Sequence, residues 1–345
     1  MKYLVTGGSG FIGSAVVRKA LDLGDEVINL DALTYAASLK TLDQVETHPA
    51  YTFYHLDIRD RAAMIDVFEK EKPDAVIHLA AESHVDRSID GPASFVDTNI
   101  VGTFTLLDVA RLYCAGGHAP QGFRLLHVST DEVYGSLGPS GRFHESSPYD
   151  PRSPYSASKA ASDHLVRAWG HTYDLPVIVT NCSNNFGPYQ FPEKLIPVVI
   201  LNALKGADIP VYGQGANVRD WLFVDDHAEA LLKVIKEGQP GETYLIGGEN
   251  ERTNLELVRA ICGIMDQECP GGASYAGLIR FVSDRPGHDR RYAIDPSETQ
   301  RRLGWQAKTP FDEGLLLTVR WYLDNRDWWE PLLDRDGVGA RLGRR

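Results

Sequence analysis

"YLVTGGSGFIG", Tyr3 to Gly13, decides the fold. "YLVT" reads as a buried strand, the glycines as a tight turn, and the residues from Phe11 as the start of a helix. Gly7, Gly10 and Gly13 make a GxxGxxG spacing. Glycines in such a turn admit positive φ and let the backbone approach a pyrophosphate closely. The helix N-terminus adds free N–H groups and partial positive charge. Three glycines alone are a weak signal, because many turns contain them. Context strengthens this set: a strand before, a helix after, and Asp31 at the end of the second strand, "EVINL" (26–30). An acid there can bond both ribose hydroxyls of an adenosine and would repel a 2′-phosphate, so the residues point to NAD rather than NADP. Asp57 and Ile58, in "LDIRD" after the third strand, suit an adenine contact.

Outward from that unit, apolar runs alternate with amphipathic ones. "TFYHL" (52–56), "AVIHLA" (75–80), "FRLLHVS" (123–129) and "PVIVTN" (176–181) read as further strands, with helices near 11–23, 61–71, 93–115 and 154–173. Strands alternating with helices of this length predict a parallel sheet covered on both faces. Past residue 182 proline and glycine become frequent, and helices recur near 193–205, 225–236, 254–268 and 311–325. The expected class is α/β: a Rossmann-type doubly wound parallel sheet with a smaller, mixed α/β C-terminal domain. Residues 1–181 form the cofactor domain, with 225–247 returning to it; 182–332 form the substrate domain; 333–345 read as a polar tail.

The chain has 345 residues, enough for one large or two fused domains. A formal net charge of −12 repels polyanions at long range and argues against a nucleic-acid partner. The four cysteines form no CxxC pair, so reduced thiols in a cytoplasmic protein are expected rather than a disulfide framework. No metal-ligand spacing occurs among the eleven histidines, and no metal is expected. The apolar stretches, such as "LIPVVIL" (195–201), are too short to span a bilayer, and no targeting segment precedes the first strand.

Two stretches carry chemistry. In "SPYSASK" (153–159), Ser153 is a good N-cap and Pro154 a good first helical residue, which puts Tyr155 and Lys159 on one face. Of fifteen tyrosines, only Tyr155 has a lysine four positions on. A neighbouring lysine and a nicotinamide cation both favour phenolate, so Tyr155 can take a proton from a substrate alcohol, and Thr130 can hydrogen-bond the same oxygen. In "LHVSTDEVYGS" (126–136), a strand ends on the acid pair Asp131 and Glu132. Adjacent strand residues face opposite ways, so both acids can serve one site only if they lie just past the strand end, in a turn that Gly135 permits. Singly, each acid reads as a turn or surface residue; beside Tyr155 and Lys159 they read as catalytic.

Together, TGGxGFIG, YxxxK, "STDEVYG" (129–135), "CSNNFGPYQFPEKLIP" (182–197), "NVRDWLFVDDH" (217–227) and "DRPGHDRRYAID" (284–295) resemble the nucleotide-sugar 4,6-dehydratases of the extended short-chain dehydrogenase/reductase superfamily. The resemblance runs from Met1 to about Leu332. It places Thr130, Asp131, Glu132, Tyr155 and Lys159 on catalytic positions. Ser83, Asn184, Lys194, Tyr212, Arg219, Asn254, Arg285 and His288 fall on positions that hold the nucleotide diphosphate and sugar. Phe11, Ile12, Thr34, Ala80, Ala81 and Thr98 complete the cofactor wall. The family's second-strand segment differs here at Ala32, Ala37 and Ser38, and Phe186 stands where tyrosine is common.

The resemblance implies oxidation of a hexose at C4, loss of water across C5 and C6, and reduction at C6, with dTDP-glucose as substrate. It assigns Glu132 as the C5 base and Asp131 as the C6 acid. UDP-glucose is an alternative substrate. A 4-epimerase uses the same tyrosine–lysine pair without the acid pair, and a UDP-glucuronate decarboxylase usually has Ser in place of Asp131. A non-catalytic NAD-sensing protein would tend to lose the tyrosine or lysine. The helices near 93–115 and 154–173 are apolar enough to pair across a two-fold axis, so a homodimer is expected.

Overall fold

The structure is a computed structural model and describes residues 1–284, 287–335 and 338. Its strands in chain order are β1 (Lys2–Thr6), β2 (Glu26–Asp31), β3 (Tyr51–His55), β4 (Ala75–His78), β5 (Arg124–Thr130), β6 (Val177–Cys182), β7 (Asn184–Phe186), β8 (Ile209–Tyr212), β9 (Val218–Phe223), β10 (Thr243–Ile246), β11 (Glu251–Thr253) and β12 (Ile279–Val282). Seven of them form one sheet in the order β10-β6-β5-β4-β1-β2-β3. Every pairing in it is parallel, so Thr6, Asp31, His78, Thr130 and Cys182 all end at one edge. The chain winds outward from β1 in one direction and then, from β4, in the other. Doubly wound sheets bind ligands at that reversal, beyond the carboxyl ends.

Strands β4 and β6 are buried along their whole length, which explains their near-continuous apolar sequence. The helices Phe11–Asp22 and Val224–Glu237 cover one face, where Val16, Val17 and Ala20 share a core with Ala228, Leu231 and Ile235. Arg61–Glu71, Thr103–Ala115 and Pro154–Tyr173 cover the other, around Met64, Phe68, Leu106, Leu107 and Val166. A second lobe holds the β11-β9-β7 and β12-β8 sheets and packs the helices Leu195–Lys205, Asn254–Glu268 and Phe311–Asp324 around Phe186, Trp221, Leu257 and Leu315.

The short strands β7, β8, β9, β11 and β12 are not expected from the sequence, and one expected helix is not continuous. The helix expected over 93–115 is interrupted by a π-helical stretch, Val96–Gly102. Widening frees a carbonyl, and Asn99 O accepts a hydrogen bond from Ser162 Oγ at 2.6 Å. The Asn99 side chain accepts from the Glu82 amide at 2.8 Å and donates to Ser158 Oγ at 2.8 Å, bracing two walls of the site. Such stretches recur at functional sites.

Candidate active site

A cleft of about 440 Å³ lies beyond the carboxyl ends of the main sheet. Its cofactor half is lined by Gly7, Gly10, Phe11, Ile12, Gly13, Asp31, Thr34, Asp57, Ile58, Ala80, Ala81 and Thr98. Gly7 has φ +74°, and a Cβ there would meet the Ala80 amide at 2.7 Å. A Cβ on Gly13 would stand 2.1 Å from Gly7 O, so helix and turn approach more closely than any side chain allows. The helix Phe11–Asp22 has no side-chain cap and no acid in its first turn, leaving its N-terminal amides to an anion. Asp31 accepts from the Ser9 amide at 2.9 Å and the Leu33 amide at 2.8 Å, which aims the buried carboxylate. Burial raises its pKa, and the two amides oppose that. These features fit a dinucleotide with free ribose hydroxyls.

The reacting half is lined by Thr130, Glu132, Tyr155 and Lys159, with Ser83, Asn184 and Lys194. After Thr130 the strand gives way to a single 3-10 turn, Asp131–Tyr134, capped by Thr130 Oγ1 accepting from the Glu132 amide at 3.2 Å. Successive residues of a 3-10 turn diverge by about 120°. Asp131 therefore points inward, 1% exposed, while Glu132 opens on the cleft. Burial first, then the charges of Glu132 and Asp220, hold the Asp131 carboxyl well above the usual carboxylate range, against the pull of Arg219 and Thr130. Its Oδ2 has no hydrogen-bond partner among the described residues. The adjacent acids thus occupy two environments: Asp131 is buried behind the cleft wall, where a carboxyl favours its proton, and Glu132 opens on the cleft.

Tyr155 and Lys159 stand on the helix Pro154–Tyr173, whose start is fixed by a capping box between Ser153 and Ser156. Lys159 Nζ donates to Val128 O at 2.9 Å. Burial and then the Glu132 charge push the Tyr155 phenol well above its ordinary value, while a hydrogen bond to Thr130 pulls the other way. The shift runs opposite to the lowering expected from Lys159; a nicotinamide cation beside the phenol would act against it.

Tyr212, Arg219, Asn254 and His288 are not on the cleft wall. Tyr212 donates to Asp86 Oδ2 at 3.3 Å, and its ring meets His288 edge-on. Arg219 lies over the Tyr292 ring and donates to Val218 O at 2.8 Å and Asp289 O at 3.0 Å. Asn254 begins a helix with its Oδ1 buried and unpartnered among the described residues. His288 pairs with Asp284 at 2.6 Å. Arg285 falls outside the described residues.

Sequence reasoning missed Glu193. Its carboxylate accepts from Tyr35 Oη at 3.0 Å and Arg87 Nε at 2.9 Å, with Arg87 stacked over the Tyr35 ring. This clasp joins the loop after β2 to the segment before Lys194. Long-range pairing of this kind leaves no local signal.

The chain matches the family model of the GDP-mannose 4,6 dehydratases over residues 4–318. It is 54% identical to a dTDP-glucose 4,6-dehydratase of Escherichia coli and 57% identical to one of Neisseria meningitidis serogroup B, each over 99% of both chains. The chain belongs to the dTDP-glucose 4,6-dehydratase family. The solved dTDP-glucose 4,6-dehydratase of Streptomyces venezuelae, crystallised with NAD bound, superposes with a TM-score of 0.88 at 49% identity, over 96% of this chain and 100% of that one. The UDP-glucose 4-epimerase of Thermus thermophilus reaches 0.84 at 29% identity, over 94% of this chain and 100% of that one. Dehydratase and epimerase thus share the scaffold, and the difference in chemistry belongs to the side chains.

Proposed function

We propose that this protein converts dTDP-glucose to dTDP-4-keto-6-deoxyglucose with NAD as cofactor. The observation that carries the reading is the acid pair, buried Asp131 beside Glu132, set in one turn against Tyr155 and Lys159. The Gly7–Gly13 turn, Asp31, Asp57 and Ile58 hold the dinucleotide.

Tyr155 takes the proton of the C4 hydroxyl, with Thr130 and Lys159 orienting and polarising it. When bound, NAD accepts the two electrons lost at C4 and returns them at C6, and its positive ring offsets the cost of a buried phenolate. With C4 a ketone, the C5 proton is acidic enough for Glu132 to take. Asp131 gives its proton to the C6 hydroxyl, which leaves as water. A buried carboxyl held up beside one that opens on the cleft suits these opposite duties. Glu132 then returns its proton to C5. One turnover leaves Tyr155 with the proton that Asp131 has lost, and solvent restores both.

Ser83, Asn184 and Lys194 lie where a sugar and diphosphate would follow the nicotinamide. Tyr212, Arg219, Asn254, Arg285 and His288 are assigned to the same substrate from the second lobe, with residues 182–332 as its main domain. We read the protein as a cytoplasmic homodimer. Four free thiols support the compartment, and among the described residues no helix is long and apolar enough to cross a membrane. Val96, Val101, Phe104, Leu112 and Tyr173 are exposed along the helices that would pair. Sedimentation at a monomer mass would remove the dimer.

Purified protein incubated separately with dTDP-glucose and UDP-glucose tests the main reading. Mass spectrometry should show loss of one water from the thymidine sugar. Neither sugar losing water, with NAD bound, would leave a binding protein instead.

A further inference from the structure

Lys159 is 5% exposed, and one helical turn further along Asp163 is wholly buried. Residues four apart share a helix face, so Tyr155, Lys159 and Asp163 form one row. The Asp163 carboxylate accepts from Ser129 Oγ at 2.9 Å, Tyr149 Oη at 2.8 Å and Asn181 Nδ2 at 3.3 Å, and pairs with His127 Nε2 at 3.1 Å. Ser129 and His127 belong to β5, and Asn181 to β6. Asn181 also donates to Thr130 O at 3.0 Å. One carboxylate therefore ties the strand that ends in the acid pair to the helix that carries Tyr155. Asp163 is not on the cleft wall.

We propose that Asp163 is the buried counter-charge of the active site, a positioning residue that keeps Lys159 protonated and holds it in register with the acid-pair turn. The proposal rests on the catalytic reading of Tyr155 and Lys159 above. Burial raises the Asp163 pKa, but the His127 bond, the Lys159 charge and the Ser129 bond outweigh it and favour the carboxylate. Burial pushes the Lys159 ammonium down, and Asp163 is the first of the groups opposing that, ahead of Cys182.

The other titratable groups around the pair do not replace this charge. His78 on β4 and His127 on β5 are held neutral by burial. The Cys182 thiol on β6 and the Tyr134 and Tyr149 phenols are pushed up, also by burial. Burial raises the Asp131 pKa as well, and Glu132 opens on the cleft. Arg167, from the same helix, donates to Tyr149 Oη at 2.8 Å and adds a second cation rather than an anion.

Asp163→Asn removes the charge at constant size. The test is the pH profile of cofactor reduction at 340 nm within a single turnover of dTDP-glucose. Lys159→Met identifies the alkaline limb that belongs to Lys159, because that limb should vanish in it. In Asp163→Asn the limb should move down by about one pH unit, a roughly tenfold loss of rate on the old limb. Asp163→Glu should return the limb towards its wild-type position even at lower kcat. A merely structural role would lower kcat and leave the limb where it was, and that result overturns the proposal.

A second readout needs no turnover. Lys159→Met leaves the Asp163 charge without its cation, so adding Asp163→Asn to that variant should raise Tm, while the same change in the wild-type protein should lower it. If Asp163→Asn alone does not fold, this pair still decides. A double variant no more stable than Lys159→Met sinks the counter-charge. Wild-type turnover by Lys159→Met would instead sink the catalytic reading of Lys159 and leave the charge pairing to the Tm data.

Discussion

The carboxyl edge of the main sheet and the second lobe build their polar groups in opposite ways. At the edge, Thr130, Asp131, Glu132, Tyr155 and Lys159 hang from one strand end and one long helix, backed by a buried network. In the lobe, Tyr212, Arg219, Asn254 and His288 hang from short strands, a helix start and a loop, and several bond within the lobe itself. Rigid elements hold reacting groups to the precision that proton transfer needs, whereas loops and short strands can vary with the ligand they select. The edge therefore reads as chemistry and the lobe as recognition. The shared scaffold of dehydratase and epimerase fits that division, since only the groups on the edge need change.

Changes at the edge should strike kcat. Tyr155→Phe should lower turnover about 10²–10⁴-fold, with no absorbance rise at 340 nm, because no other phenol stands in place to take the C4 proton. Near-normal turnover would dissolve the contrast between edge and lobe. Glu132→Gln should still oxidise C4 but stall there. Reduced cofactor should accumulate, and exchange of the C5 hydrogen with solvent should fall about 10²-fold or more. Exchange at the wild-type rate would move the base elsewhere. Asp131→Asn should oxidise C4 and exchange C5 while losing water about 10²-fold more slowly. If exchange rather than water loss is the step that fails, the roles of the two acids are reversed.

Changes in the lobe should strike KM. Arg219→Lys keeps the charge but loses the planar fork, and should raise KM for dTDP-glucose about tenfold with little change in kcat. A large fall in kcat at constant KM would draw Arg219 into the chemistry through its field at Asp131.

The smallest effect concerns stability. An unfolded Asp gives up its proton near pH 3.9, whereas burial lets folded Asp131 hold it to higher pH. Folding then binds a proton that the unfolded chain lacks, so stability falls as pH rises above the unfolded value towards the raised folded one. Asp131→Asn removes that penalty. Its Tm relative to wild type should be higher at pH 8 than at pH 5. A pH-independent difference would mean that Asp131 is ionised in the fold.

Much of this was legible in the chain. Strands, the glycine turn, the capping of Pro154–Tyr173 and the YxxxK row follow from interactions within a few residues: allowed φ, free N–H groups and the 3.6-residue period. The parity argument for Asp131 and Glu132 also works locally as far as the turn after Thr130, but that turn opens only Glu132 on the cleft and buries Asp131. The π-helical stretch at Val96–Gly102 was not legible, because it answers to Ser162 and Glu82, both distant in sequence.

Local sequence was therefore sufficient for the strands of the main sheet, the long helices and the residue types at the sheet edge, but not for the short strands of the second lobe. It was silent on protonation and reach. Burial and the charges of Glu132 and Asp220 raise the Asp131 pKa, and burial and Glu132 raise that of Tyr155. Asp163 is anchored by His127 and Asn181, and Glu193 by Tyr35 and Arg87. Desolvation and Coulomb fields depend on which distant segments fold against a group, and only the assembled chain brings those segments together.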